Sequence, residues 1–61
     1  MIKILVYKDG REFLFHFESP VVPPKGEMLW LDDSPTCYTV TSAIYKVDTA
    51  RKRLVVDLCV K

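Results

Sequence analysis

The amino-acid sequence predicts an all-β domain: a five-stranded, highly curved antiparallel sheet rolled into a small SH3-like β-barrel. Alternating apolar residues recur in short runs between turn-forming residues, and no segment has the apolar period of a helix. Apolar residues make up 49% of the 61 positions. A flat sheet of this composition would expose one apolar face to water, whereas a rolled sheet buries it. An OB-like barrel and an open meander are the alternative architectures.

The length and the charge of the chain limit what it can be. A chain of 61 residues is expected to form one domain over residues 1–61, because two separate cores would each be too small to offset chain entropy. Self-association is one way in which so small a domain gains stability. Nine basic and eight acidic side chains create no long-range field that would attract nucleic acid or an anionic membrane.

The first two strands form a hairpin, because Asp9-Gly10 lies between two alternating runs and both residues tolerate the positive φ of a type I′ turn. A two-residue loop at this point gives one wholly apolar face, which we expect to look into the core, and one mixed face. The opposed pairs are then Val6–Phe13, Ile4–Phe15 and Ile2–Phe17 on the apolar face, and Tyr7–Glu12, Leu5–Leu14 and Lys3–His16 on the mixed face.

The proline-rich residues 19–26 follow the hairpin. The stretch Pro20-Val21-Val22-Pro23 satisfies the pattern that aromatic-lined grooves bind as a polyproline helix. Prolines also deny the backbone the donors that a central strand needs. Because strands flank this stretch on both sides, we predict a stiff corner inside the fold, ending at a turn at Gly26.

The sequence of the second half of the chain predicts four elements: a short strand at 27–31, a turn-rich loop at 32–36, a long strand at 37–47 and a polar loop at 48–52. The long strand has apolar residues at Tyr38 and Val40 and again from Ala43, an odd shift that a β-bulge near Thr41-Ser42 would correct. The last strand, residues 53–60, is expected to point alternate residues inward: Leu54, Val56, Leu58 and Val60.

The order Pro24-Lys25-Gly26-Glu27, then Leu29-x-Leu31, then Tyr38-x-Val40 resembles the middle of many small SH3-like barrels. It also resembles short proteins of uncharacterised function from bacteria and their phages. The resemblance covers residues 22–60 and implies a barrel fold, but no shared activity. The loop at 32–36 is longer and richer in proline than the tight turn that such barrels often have.

Residues that would support catalysis or a cofactor are sparse. His16 is the only histidine and is expected on a semi-exposed sheet face without a neighbouring nucleophile. No phosphate-binding glycine loop, metal-ligand spacing or catalytic triad is apparent. We expect no enzymatic activity, no cofactor and no metal. Cys37 and Cys59 are expected to be free thiols, with a disulfide between neighbouring strands as the alternative.

The N-terminal apolar run, residues 1–7, is too short for a signal peptide, and no segment has the apolar length of a membrane span. We therefore expect a cytoplasmic protein without a membrane partner.

The favoured functional surface lies around Met28 and Trp30, which project from the outer side of their strand if Leu29 and Leu31 point inward. Tryptophan and methionine are enriched in protein contacts. The alternative is that the prolines of residues 19–26 cover Trp30. We expect a protein partner or a homo-oligomer to bind through the following residues: Met28, Trp30, Tyr7, Leu5 and Leu14.

A nucleic-acid-binding barrel is the second, less favoured hypothesis. Its cations would be Lys46, Arg51, Lys52 and Arg53, with Trp30 or Tyr45 stacking on a base. A solvated loop that discourages aggregation at the sheet edge is the structural explanation of the same cluster.

Overall fold

The computed structural model describes residues 1–61 as a single sheet of five strands without a helix. The strands are β1 (Ile2–Lys8), β2 (Glu12–Ser19), β3 (Met28–Trp30), β4 (Cys37–Asp48) and β5 (Arg53–Val60). Their order in the sheet is β2-β1-β5-β4-β3, and the sheet curls through 222° into a half-barrel. The predicted all-β, barrel-like fold is confirmed.

One strand pair departs from the predicted antiparallel arrangement. β1 and β5 run parallel, with Ile4 opposite Val56 and Val6 opposite Leu58, whereas every other pair is antiparallel. The sheet is therefore mixed. No hairpin joins these two strands, so no local turn fixes their relative direction.

The core lies on the concave face of the sheet and is small. Only six of the 61 residues are fully buried, and each such aliphatic side chain contributes about 1.5–3 kcal/mol through its burial. The inward alternation predicted for residues 54–60 is confirmed. The buried residues are Ile4, Val6, Val40, Val56, Leu58 and Val60, and those packed around them are Ile2, Leu14, Phe15, Phe17, Val22, Leu29, Tyr38, Ala43 and Leu54.

The turn of the first hairpin has the predicted chemistry. Asp9 and Gly10 both have positive φ, 54° and 70°, and the Arg11 amide donates to the Lys8 carbonyl over 3.0 Å. The pairing beyond the turn differs from the prediction, because Lys8 lies opposite Glu12 and Arg11 is left unpaired in the ladder. The loop is therefore one residue longer than the two-residue loop expected.

A second irregularity shifts the register again. Val6 faces Phe15 while Tyr7 faces Phe13, so Leu14 is an extra residue on β2. The predicted opposed pairs are therefore wrong by two positions along most of the hairpin. Phe15 stays on the core side, but Phe13 lies beside Tyr7 on the outer face, and Leu14 packs against the core instead of lying on the outer face. The observed pairs farther along are Leu5–His16, Ile4–Phe17, Lys3–Glu18 and Ile2–Ser19.

The proline-rich stretch forms the predicted corner. Residues 20–27 form no strand, and Val22 packs against the core. Gly26 has a φ of 93°, and the Glu27 amide donates to the Pro24 carbonyl over 3.1 Å, which closes the turn. The corner therefore carries the chain from β2 to β3 at the opposite edge of the sheet.

The predicted bulge in β4 is also confirmed. Val40 lies opposite Val60 and Ser42 opposite Cys59, which leaves Thr41 as the extra residue. The Thr41 hydroxyl donates to the Cys59 carbonyl over 3.1 Å. The bulge keeps the two apolar halves of β4 on one face of the sheet and increases its local twist.

No helix in the fold has the length and hydropathy that crossing a bilayer requires.

Candidate protein-binding surface

Strand β3 separates an inward side chain from two outward ones. Leu29 packs against the core, whereas Met28 is exposed and Trp30 keeps 66% of its surface in contact with solvent. The predicted sidedness of this strand is therefore confirmed. The alternative in which the prolines cover Trp30 is wrong. We call the surface formed by Met28 and Trp30 the β3 surface.

The backbone around Trp30 is held on one side only. Trp30 lies opposite Cys37 of β4 and Met28 opposite Thr39, while no strand lies on the outer side of β3. The following loop is closed by a bond from the Leu31 amide to the Thr36 carbonyl over 3.4 Å. The indole therefore projects from an ordered strand whose outer edge is available for pairing.

A second exposed aromatic region lies on the outer face of the first hairpin. Phe13 is half-exposed, and its ring meets that of Tyr7 with centroids 5.6 Å apart and planes at 67°. Leu5 lies on the same side, partly buried, between His16 of β2 and Asp57 of β5. Sequence reasoning missed Phe13, because only the bulge at Leu14 turns it outward.

The two aromatic regions are separate. β5 and β4 lie between β1 and β3, and a spacing of about 4.8 Å per strand gives roughly 14 Å across the sheet. The structure therefore brings Met28 and Trp30 together but does not place Tyr7 and Leu5 beside them. Leu14 does not join either aromatic region on the outer face, since it packs against the core.

The basic loop between β4 and β5 is organised around Asp48. The Asp48 carboxylate accepts a bond from the Arg51 backbone amide at 3.2 Å and another from the Arg51 guanidinium at 3.1 Å. The Arg53 Nε lies 3.7 Å from the same carboxylate. The pKa of Asp48 is held below its ordinary value mainly by the hydrogen bond from the Arg51 guanidinium, and secondly by the hydrogen bond from the Arg51 backbone amide. Two of the loop's cations are thus already paired within the chain.

The other two candidate cations, Lys46 and Lys52, differ in whether an acidic side chain lies beside them. The Lys46 ammonium lies 2.6 Å from an oxygen of Asp57 on the convex face. This hydrogen bond and the attraction of the carboxylate raise the pKa of Lys46. Lys52 is exposed, forms no salt bridge, and has a left-handed φ of 53° at the loop tip. Of the four candidate cations, only Lys52 therefore has no acidic partner.

The remaining polar candidates are the single histidine and the two cysteines. His16 is exposed on the outer face, and Cys37 and Cys59 are partly buried free thiols, as predicted. No group of three or more histidine, cysteine, aspartate or glutamate residues is arranged to hold a metal ion. A shallow depression at the first hairpin turn is lined only by charged residues: Lys8, Asp9, Arg11 and Glu12.

Comparison with known proteins identifies no relative of this chain. No family model matches the chain, and neither does any curated protein sequence or solved structure. Function is therefore inferred from the surfaces described above.

Proposed function

We propose that the protein is a small β-barrel interaction module that binds a protein partner, or a second copy of itself, through the β3 surface. The observation that carries the proposal is the exposure of the Trp30 indole beside Met28. An indole that lies mostly in water contributes little to folding, whereas its burial in a contact removes a large apolar area from water. Tryptophan is accordingly one of the residues that most often dominate binding energy.

The position of β3 at the sheet edge supports the same proposal. A partner segment in extended conformation can pair with the free edge through its main chain while its side chains contact the indole and Met28. We also propose that the domain is SH3-like, cytoplasmic and non-enzymatic, in line with the curved sheet and the sequence resemblance. The protein is then a binding partner and not a catalyst.

The test begins by finding what contacts position 28. A photo-reactive amino acid at that position, introduced in cells, captures the partner, which is then purified for binding measurements. We expect Trp30→Ser to weaken the affinity of the purified pair by about tenfold or more, the loss typical of a dominant contact residue. Val21→Ser is the matched control, because Val21 is 67% exposed, close to the 66% of Trp30.

The outcomes separate clearly. Weaker binding with Trp30→Ser and unchanged binding with Val21→Ser support the proposal. Equal affinities for the wild-type chain and both variants would overturn it. If the captured partner is a second copy of the chain, the same comparison is made on the dissociation constant of the dimer.

Nucleic-acid binding is the second candidate, and the uncompensated Lys52 is the observation that favours it. It is weaker because Arg51 and Arg53 contact Asp48 and Lys46 contacts Asp57. Titration with a single-stranded oligonucleotide at several salt concentrations tests it. Binding that weakens with salt and is lost in Lys52→Ala would favour this candidate. The absence of binding at low salt would rule it out.

A further inference from the structure

The far half of β4 has a free edge. β3 pairs only with the first three residues of β4, Cys37 to Thr39, whereas β5 pairs with β4 as far as Asp48. Residues 43–48 therefore have β5 on one side and no strand on the other; we call them the β4 edge. Three large apolar side chains are exposed along it: Ile44, Tyr45 and Val47.

The hydrogen bonds at the end of β5 indicate which backbone groups of the β4 edge point outward. Lys61 exchanges two bonds with Thr39 of β4, at 3.0 and 3.1 Å, while the carbonyl of Val60 accepts from Asp9 on the other side. Because donors and acceptors alternate along a strand, odd-numbered residues of β5 bond to β4. Their partners are Ile44, Lys46 and Asp48. The intervening residues of β4, which are Ala43, Tyr45 and Val47, therefore direct their amides and carbonyls away from the sheet.

We propose that a second copy of the chain docks on the β4 edge, strand against strand, in an antiparallel pair centred on Tyr45. A two-fold axis through this point sets Ala43 opposite Val47 of the second copy, so that the outward backbone groups of both copies pair. On the concave side, the side chains of Ala43, Tyr45 and Val47 of one copy then lie against those of the other. The sheet becomes continuous across the dimer.

The edge is complementary to itself, which favours a second copy as the occupant: its outward residues, Ala43, Tyr45 and Val47, are symmetric about Tyr45 and all find partners in a reversed copy of the same edge. Centring on Tyr45 sets Lys46 opposite Ile44 of the second copy and Asp48 opposite Ser42, so no like charges face each other. Moving the centre by one residue to Lys46 would set two lysines directly opposite, which is destabilising. The edge is thus complementary to itself in a register that pairs all of its outward backbone groups.

The small core gives a reason for the pairing. Six fully buried residues are few for a domain, and association is one of the usual ways in which chains of this size gain buried area. The contact is short compared with the roughly 1,600 Å² that a standard interface buries. We therefore expect a reversible dimer whose population depends on concentration.

The β4 edge and the β3 surface are independent. Trp30 lies opposite Cys37, and Tyr45 is eight residues farther along β4, roughly 25 Å at about 3.3 Å per residue. A partner on one surface leaves the other free. The dimer inferred here thus stands or falls separately from the proposed function.

The experiment measures molecular mass by analytical ultracentrifugation over a range of concentrations. The wild-type chain is expected to rise from the 7.1 kDa monomer towards twice that mass. Tyr45→Lys sets two cations opposite each other at the centre and should weaken dimerisation by about tenfold or more. Val21→Lys is the control, since Val21 is 67% exposed and Tyr45 60%, and it should dimerise like the wild type.

Amide hydrogen exchange provides a readout that does not depend on a variant. The amides of Ala43, Tyr45 and Val47 should exchange slowly only at concentrations where the dimer forms, whereas those of Ile44 and Lys46 should be protected in the monomer as well. If Tyr45→Lys fails to fold, the exchange pattern of the wild-type chain still decides.

Three results would overturn the inference. The first is a wild-type mass that stays at 7.1 kDa at millimolar concentration. The second is an undiminished dimer in folded Tyr45→Lys. The third is a dimer that is lost in Trp30→Ser and retained in Tyr45→Lys, because the β3 surface would then form the contact.

Discussion

Tyr7 and Phe13 meet edge to face across β1 and β2, with ring centroids 5.6 Å apart. Phe15, only two positions farther along β2, packs on the opposite face against the core. Residues two apart on a regular strand share a face, so the extra residue Leu14 is what separates the two phenylalanines. The bulge thereby divides the aromatic side chains of β2 between core and surface.

The first prediction compares those two phenylalanines. Phe15→Ala should cost about 3 kcal/mol, because it leaves a cavity beside the core. Phe13→Ala should cost about 1 kcal/mol, since it loses an edge-to-face contact on a half-exposed side chain. Urea unfolding of both variants, with His16→Ala as an exposed control, measures the difference. Equal costs, or a larger cost for Phe13→Ala, would mean that β2 pairs without the bulge.

The second prediction concerns the centre of the core. Leu58 is completely buried on β5, so Leu58→Ala should destabilise the fold by about 2–5 kcal/mol, enough to unfold much of so small a domain. Ile44→Ala, at an exposed position on the neighbouring strand, should cost well under about 1 kcal/mol in the monomer. Circular dichroism melting curves at low concentration make the comparison. Similar curves for the two variants would show that the concave face is not the core.

Local chemistry explains what the sequence alone predicted of the fold. The Asp9-Gly10 turn, the proline corner and the bulge at Thr41 each follow from a few adjacent residues with restricted backbone preferences. The register of β2 was mispredicted, because the extra residue Leu14 packs against the core, a contact that simple alternation along the hairpin does not indicate. The parallel pairing of β1 and β5 was missed for a similar reason, since strands far apart in sequence carry no local signal of direction.

The third prediction tests the bulge in β4. Thr41→Ala removes one hydrogen bond to the Cys59 carbonyl and should cost about 1 kcal/mol. Deletion of Thr41 should leave a folded chain, because it removes the extra residue and places Val40 and Ala43 two positions apart, on one face of a regular strand. Melting curves of both variants are compared. A deletion variant that fails to fold would contradict the assignment of Thr41 as the extra residue of the bulge.

The fourth prediction is a pH dependence at Asp48. Its pKa is lowered in the folded chain by the bonds from Arg51, so the ionised carboxylate stabilises the fold. This contribution is complete above the ordinary pKa of 3.8 and is lost as the pH falls through the lower folded pKa. The wild type should therefore exceed Asp48→Asn in stability at neutral pH, and the difference should shrink with acidification.

Urea unfolding at several pH values measures that difference, and carbon NMR of the Asp48 carboxyl gives its pKa directly. A stability difference that does not change with pH, or a folded pKa at or above the ordinary value, would contradict the prediction.

The candidate site was only partly predictable from the sequence. The outward direction of Met28 and Trp30 follows from simple alternation about Leu29. Tyr7 and Leu5 were expected beside them, but two strands lie between β1 and β3. The sequence does not indicate this separation, because it depends on the order of the strands in the sheet. The free edge at residues 43–48 was likewise hidden, since it exists only because β3 is short.

The accessibility of the Trp30 indole in the monomer is the most direct test of the β3 surface. As the only tryptophan, it allows iodide quenching of fluorescence to report on a single site. At concentrations where the chain is monomeric, we expect quenching nearly as efficient as for free tryptophan, with the emission of an indole in water. A shielded indole with blue-shifted emission in the monomer would contradict the outward position of Trp30 and remove the basis of the proposed function.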